Sequence, residues 1–525
     1  MSFTSYEFIA FMLLVMILYY VLPKKCQWPL LLVASYIFYA AASPYYLIFI
    51  AATTVSTYLV SLPLSSLHKT QKLYLKENKA NMSKEEKKAY KASIKKKQWR
   101  WLLLCLFFNF GILGVLKYTN FAIANVNGIF NTSFAFQNII LPMGISFYTF
   151  QTMGYIIDVY RGQVEAEKNP FKLALFVSFF PQLVQGPISR FSQLAPTLFA
   201  EKKYDHKTVS FGLQRILWGY FKKVIIADRL LVAVQEIISQ PNEYTGIFVV
   251  VGMVFYAAEL YADFTGGIDI TIGIAEVMGI KMPENFERPY FSKNIAEYWR
   301  RWHITMGTWF KDYIFYPISV CQPMLKFSTK CRKVFGDNIG KRIPVYVSTI
   351  FVWFVTGVWH GASWNFIMWG TFNGIIIMIS QELEPVYAWF HSKFNVDKKL
   401  WFNVFRIVRT FFLMCSLRIF DCYRDVLTAF KMFGSIFTDW NLPELFNGSL
   451  MNLGLTMGDY VVLIVAITIL FIASLLGRHE LVREKLARKN IAVRYLAYVA
   501  IIVAILVFGA YGPDFDPAAF IYGQF

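Results

Sequence analysis

Apolar residues run along this chain in long blocks separated by short charged stretches. A helix needs about 20 mostly apolar residues to cross the ~30 Å hydrocarbon core of a bilayer, so each block is a predicted crossing. The first covers 6–22, and others lie near 28–42, 46–63, 101–117, 139–160, 218–238, 247–265, 343–360, 364–381, 403–420, 458–477 and 495–512, twelve in all. The first block carries Glu7, has no basic segment before it and is followed by Lys24 and Lys25. That is the pattern of a retained span entered from outside, not of a cleaved signal peptide. The predicted fold is an all-α integral membrane protein, a bundle of about 11–12 transmembrane helices.

One block breaks the pattern. The stretch 171–198 is apolar but interrupted by Pro181, Gly186 and Pro187, with basic residues on both sides. It is expected to enter the membrane and return, with a kinked span as the alternative. Irregular backbone at that depth needs protein or a water-filled cavity to satisfy its polar groups, so a re-entrant segment predicts a central chamber or tunnel.

Composition supports the membrane assignment: 56% of the 525 residues are apolar and 16% charged, against roughly 25% charged in soluble domains. The formal charge of +19 could suggest nucleic acid. Its distribution points elsewhere: 69–100 alone holds twelve basic and three acidic residues and lies between apolar blocks. Basic residues in short loops stay cytosolic, and twelve crossings put the basic segments 69–100, 202–223, 281–342, 391–399 and 478–494 on that side, with both termini extracytoplasmic. The acidic tail with Asp514 and Asp516 falls outside. Within the loop 66–100, the alternation of Lys84, Glu85, Glu86, Lys87, Lys88 and Lys91 is that of a solvated helix. Attraction to anionic membrane lipid is a secondary possibility.

Four of the six histidines, His68, His206, His391 and His479, lie among charges in predicted loops. His303 and His360 lie among aromatic and apolar residues, where an ionisable group marks a functional hypothesis. His360 ends an apolar run, with Gly357 and Gly361 four residues apart. The glycines suit a helix-packing notch, and a neutral imidazole suits a general base. His303 belongs to a stretch in which, if helical, Trp299, Trp302, His303, Met306, Trp309 and Phe310 share a face while Arg300 and Arg301 point away. This predicts an amphipathic interfacial helix within a cytosolic region 277–342, its arginines facing lipid or holding the phosphates of a charged donor. Tyr256, Glu259, Asp263 and Asp269, followed by the helix-interrupting pair Gly266 and Gly267, could line a polar passage or tie helices together. The six cysteines are dispersed, and no phosphate loop, dinucleotide fingerprint or nucleophile elbow occurs. No metal site is indicated. Acyl transfer by direct attack remains compatible, because it needs a base and an oxyanion partner but no metal.

These residues carry a resemblance. The blocks LPMGISFYTFQ at 141–151, FPQLVQGP at 180–187, YADFTG at 261–266, PENFERP at 283–289, WRRWH at 299–303, VWHG at 358–361 and FIYGQF at 520–525 are similar to those of the membrane-bound O-acyltransferases. The closer likeness is to the bacterial branch that acetylates alginate or transfers D-alanine to teichoic acid. The resemblance implies one transmembrane domain over 1–525, with His360 matching the catalytic histidine and His303 the second motif histidine. It also implies donor binding by Arg300, Arg301, Trp302 and Asp312, and a tunnel lined by Gln151, Gln185, Tyr256, Asp263, Asp269, Trp359 and Asn365. In that scheme His360 deprotonates the accepting hydroxyl and His303 orients or polarises the thioester.

The implied donor is acetyl-CoA, used as substrate with no bound cofactor. The implied product is an acetylated extracytoplasmic polysaccharide, finished with the help of a partner acetyltransferase at the bacterial plasma membrane. Two features depart from the pattern: the long basic insertion, and Gly523 where the family usually has an aromatic residue. D-alanyl transfer from a carrier-protein thioester is the alternative, and polysaccharide or lipid transport without acyl chemistry is the alternative of another class.

Overall fold

A computed structural model describes residues 3–511; the acidic tail, the 520–525 block and Gly523 lie outside them. The described residues form helices and connecting loops with no strand. The described backbone packs as two compact units, one of residues 3–212 and 271–283, the other of 213–270 and 284–511.

The first unit contains α1 (Tyr6–Val21), α2 (Gln27–Ala40), α3 (Tyr46–Glu77), α4 (Lys84–Phe130) and α5 (Ile145–Arg161). The basic segment is not a loop. It is the ends of α3 and α4 joined by a six-residue turn, with Ser83 and Glu86 forming a reciprocal N-terminal cap for α4. Its lysines are largely exposed, as a solvated charged helix requires. Two of the loop histidines have partners: His68 Nε2 lies 3.0 Å from the Tyr160 carbonyl, and His391, in the second unit, 2.7 Å from Asp397.

The interrupted block forms α6 (Pro170–Ser178), α7 (Phe180–Leu183) and α8 (Phe191–Leu198), with a non-helical stretch at 184–190. Proline removes a backbone donor and clashes with the preceding turn, so Pro181 opens a helix here and does not sit inside one. Nearly all of 173–189 is buried, so this irregular backbone lies inside protein.

The second unit takes in α9 (His206–Tyr220) from Leu213 onward, a π-turn at Phe221–Ala227, α10 (Asp228–Ser239) and most of α11 (Ile247–Val277). Then come α12 (Ile295–Arg301), α13 (Ile304–Phe310), a second π-turn at Lys311–Phe315, α14 (Tyr316–Ser319), α15 (Gln322–Gly340), α16 (Arg342–His360), α17 (Trp364–Glu382) and α18 (Glu384–Phe394). The chain continues through α19 (Leu400–Cys422), α20 (Val426–Thr438), α21 (Met457–Leu476), α22 (Val482–Ala487) and α23 (Ile491–Phe508).

Seven of the described helices are long and apolar enough to cross a membrane, eight if the bent pair α17 and α18 is one span. This is a multi-pass membrane protein. The apolar runs at 6–22 and 28–42 occupy helices of 16 and 14 residues, that at 139–160 becomes helical only from Ile145, and that at 218–238 is divided by the π-turn. No residue of α23 is buried, the exposure expected of a helix facing lipid.

One glycine expectation changes. Gly266 and Gly267 do not interrupt α11, which is continuous through them; Gly266 lies against Gly219 of α9, where an added Cβ at Gly219 would stand 2.6 Å from the Gly266 carbonyl oxygen. Gly357 and Gly370 likewise let α16 and α17 touch, since a Cβ at either would collide with the other helix's backbone.

Candidate active site

The helix expected across 298–312 is broken at the histidine. Trp302 is extended, and His303 takes the left-handed conformation at φ 48°, so α12 ends and α13 begins around it. The cause is Asn285, fully buried in the PENFERP segment. Its Oδ1 accepts from Thr305 N at 3.0 Å, from Thr305 Oγ1 at 2.9 Å and from His303 Nδ1 at 3.2 Å. Two backbone bonds complete the clamp, Ile304 N to the Asn285 carbonyl and Glu287 N to the Arg301 carbonyl, both 2.9 Å. The PENFERP motif stands out in the sequence, but the role of Asn285 within it does not. Its signal was an amide close to a functional histidine only in space. Burial holds the His303 imidazole down at about 3, so the ring is neutral near pH 7.

His303 is among the residues lining a cavity of about 340 Å³. The cavity walls include Trp299, Arg300, Trp302, Met306, Phe310, Lys311, Thr349, Trp353 and Thr356. Arg300, Gly307 and Lys311 are exposed, whereas Trp302, Met306, Phe310 and Thr356 are buried. The space thus runs from a cationic edge to an aromatic and imidazole end. Arg301 is absent from this wall and pairs with Glu297 at 2.7 Å, one turn back on α12. Asp312 is half-buried in the second π-turn and also outside the wall, whereas its neighbour Lys311 lies on it.

His360 is half-buried at the C-terminal end of α16, one turn past Thr356. Trp359 links the two histidines: its ring centroid is 5.0 Å from His360 and 6.2 Å from His303. Trp369 meets His360 edge-on at 4.7 Å and continues into Trp299 and Trp353, both on the cavity wall. Asn373 holds this wall by accepting from Trp299 Nε1 at 3.1 Å. Arg418, unnoticed inside an apolar run, packs its guanidinium 4.7 Å from the Trp302 ring and 5.9 Å from Trp369, with Asp421 at 2.6 Å as counter-ion. The structure therefore brings His303, His360, Trp302, Trp359, Trp299 and Trp369 into one aromatic cluster.

The other expected lining residues do different things. Asp263 and Asp269 are consumed in ion pairs between helices: Lys223 reaches Asp263 and Asp228 at 2.7 Å each, and Asp269 accepts from Lys222 at 2.6 Å and Arg215 at 2.8 Å. Arg215 also grips Glu284 with both terminal nitrogens, at 2.7 and 2.5 Å. These pairs tie the helices together. Lys222 and Lys223, read from sequence as part of a cytosolic basic segment, are buried at 3% and 1% exposure. Tyr256 is buried on α11 outside the cavity wall. Asn365 is buried at the start of α17, donating to the Phe420 carbonyl at 2.8 Å and contacting Ser363. Gln151 and Gln185 belong to the first unit, where Gln151 donates to the Phe176 carbonyl at 2.8 Å and receives Gln182 Nε2 at 3.0 Å. Gln185 is fully buried in the non-helical stretch, its side-chain amide without a hydrogen-bond partner among the described residues.

Comparison with known proteins accords with this arrangement. The chain is 32% identical over 444 residues to the probable alginate O-acetylase AlgI of Pseudomonas syringae, covering 83% of this chain and 75% of that one. It belongs to the membrane-bound O-acyltransferase family. The family profile, "MBOAT, membrane-bound O-acyltransferase family", matches residues 166–329, which include the PENFERP clamp and His303. The peptidoglycan O-acetyltransferase of Helicobacter pylori is 32% identical over 423 residues, 74% of this chain and 72% of that one. The teichoic acid D-alanyltransferase of Bacillus subtilis is 28% identical over 289 residues, 53% and 68%. As a membrane O-acyltransferase this protein is an enzyme, and transport without acyl chemistry gives way to acyl transfer.

Proposed function

We propose that this O-acyltransferase takes an acetyl group from cytosolic acetyl-CoA and passes it across the plasma membrane for O-acetylation of an extracytoplasmic polysaccharide, directly or through a partner acetyltransferase. The observation that carries the reading is the cavity leading from Arg300 and Lys311 to His303, with His360 behind Trp359. Its cationic edge suits the phosphates of the donor, and its narrow aromatic interior suits the uncharged arm that ends in the thioester. Lys311 replaces Arg301 in this assignment.

In the proposed reaction His360 removes the proton of the accepting hydroxyl as its oxygen attacks the thioester carbonyl. The new C–O ester bond forms, the C–S bond breaks, and the proton passes to the departing thiolate. His360 suits this role because a neutral imidazole carries a ring nitrogen whose lone pair can take up a proton. No metal or protein nucleophile enters the step.

Acetyl is favoured over D-alanyl by coverage, since the alginate-acetylase relative aligns with 83% of this chain and the D-alanyltransferase with 53%. The test is purified protein supplied in parallel with acetyl-CoA and with a D-alanyl carrier-protein thioester, together with a glycan acceptor. Thiol release and an acetyl ester by mass analysis are expected from acetyl-CoA alone. Turnover confined to the D-alanyl thioester would replace the donor.

A further inference from the structure

We infer that Gly307 sets which donors the cavity admits: its lack of a side chain leaves room between Arg300 and Lys311 for the nucleotide head of a coenzyme A thioester. The inference rests on the acetyl-CoA donor proposed above and adds a specificity-determining position to it.

Glycine inside a helix needs a reason, because it weakens the helix relative to alanine. Two reasons are common, and neither holds at Gly307. The first is backbone conformation. Gly307 lies within α13 and is not among the described glycines with positive φ, and its N–H donates to the His303 carbonyl at 3.1 Å as a helix requires. The second is close packing. At Gly357 and Gly370 an added Cβ would collide with a carbonyl oxygen of the facing helix, that of Phe366 or of Trp353. At Gly307 the nearest atom is the Trp299 carbonyl oxygen at 3.8 Å, an ordinary van der Waals contact. Gly111, Gly114, Gly128 and Gly434 are open in the same way but lie off the cavity wall, whereas Gly307 is on it and exposed.

Helical spacing shows where this open side faces. Ile304, Gly307, Thr308 and Lys311 recur at intervals of three and four from α13 into the second π-turn, and all four line the cavity. Gly307 is therefore one turn from Lys311, and the carbonyl its Cβ would approach belongs to the residue before Arg300. Two exposed cations thus flank a stretch of wall that carries no side chain.

The chemistry of the donor calls for both features at one place. The adenine nucleotide is the widest part of a coenzyme A thioester and the part that carries its phosphates, so width and positive charge are needed together. The pantetheine arm is slender and uncharged, and the bulky buried Trp302, Met306 and Phe310 suit it. A large side chain at 307 would project beside Arg300 and Lys311 and take up the space of the head while leaving that of the arm. Discrimination between two thioesters that differ only in the head is a difference of two affinities, and Gly307 acts on one of them.

The test uses full-length purified protein with a glycan acceptor and two donors, acetyl-CoA and acetyl-pantetheine, which ends before the nucleotide. In Gly307→Leu the ratio of kcat/KM for acetyl-CoA to that for acetyl-pantetheine should fall about tenfold, chiefly through KM for acetyl-CoA, the scale of an overpacked site. Gly307→Ala should lie between Gly307→Leu and wild type. Alanine and leucine both form helix better than glycine, so both variants should melt at or above the wild-type temperature. A lower melting temperature would show position 307 to be packed, and would overturn the inference. An unchanged ratio in Gly307→Leu, whether both donors are lost together or neither is, would overturn it as well while leaving the donor reading in place. A wild type that turns over neither thioester would instead strike the donor reading, and the inference with it.

Discussion

The second unit buries two polar clusters with different chemistry. Along α11, Arg215, Lys222 and Lys223 meet Asp228, Asp263, Asp269 and Glu284 at 2.5–2.8 Å, so each of these charges has a partner within the protein. Around Trp359, two imidazoles stand among tryptophans and phenylalanines beside a cavity, and the side chain hydrogen-bonded to His303 Nδ1 is a neutral amide. The comparison teaches that carboxylates in an apolar run do not by themselves mark a passage. A buried charge persists when a counter-charge neutralises it, and the resulting pair resists exchange with a ligand. Neutral imidazoles cost less to bury and keep a lone pair for chemistry. The ion-pair cluster therefore reads as scaffold and the aromatic cluster as workplace.

Lys223→Met attacks the scaffold most severely. It leaves Asp263 and Asp228 buried without their cation, for a loss of about 3–5 kcal/mol; the expected outcome is protein missing from the membrane fraction and recovered as aggregate. Full membrane abundance with normal thermal stability would mean that the pairs are not structural. At the workplace, Arg300→Ala with Lys311→Ala should raise KM for acetyl-CoA about tenfold or more, the scale of ~1.4 kcal/mol per decade, with kcat and abundance kept. An unchanged KM would remove the cationic edge from donor binding.

The smallest effect separates the clusters by pH. The His303 pKa falls from 6.5 to about 3 on folding, so below pH 6.5 the unfolded chain binds a proton that the folded ring refuses. The stability tied to this neutral ring is complete above pH 6.5 and declines as the pH falls toward 3. The melting temperature of the wild type should drop more steeply between pH 7 and pH 5 than that of His303→Gln; parallel slopes would contradict the neutral buried ring.

Much of this was legible in sequence because it depends on local pattern. The apolar blocks at 343–360 and 364–381 coincide with α16 and α17, and the isolation of His303 and His360 among aromatic residues singled out the two imidazoles that share Trp359. What sequence did not reveal depends on contacts between distant residues. The spacing of Trp299, Trp302 and Met306 suits a continuous helix, and only the Asn285 clamp, 18 residues before His303, breaks it. Lys222 and Lys223 look cytosolic until their carboxylates on α11 are seen to face them. Arg418 has its counter-ion Asp421 three residues on in the same helix, but the two tryptophans it packs against come from two other segments.

Proton transfer by the imidazole of His360 is the step on which the proposed reaction turns. The most direct measurement is acetyl transfer to glycan by purified His360→Ala, at membrane abundance and melting temperature equal to wild type. A loss of about a hundredfold to ten-thousandfold in kcat is expected, the range of a missing general base, with acetyl-CoA binding retained. Transfer at near wild-type rate by a correctly folded His360→Ala protein would contradict it.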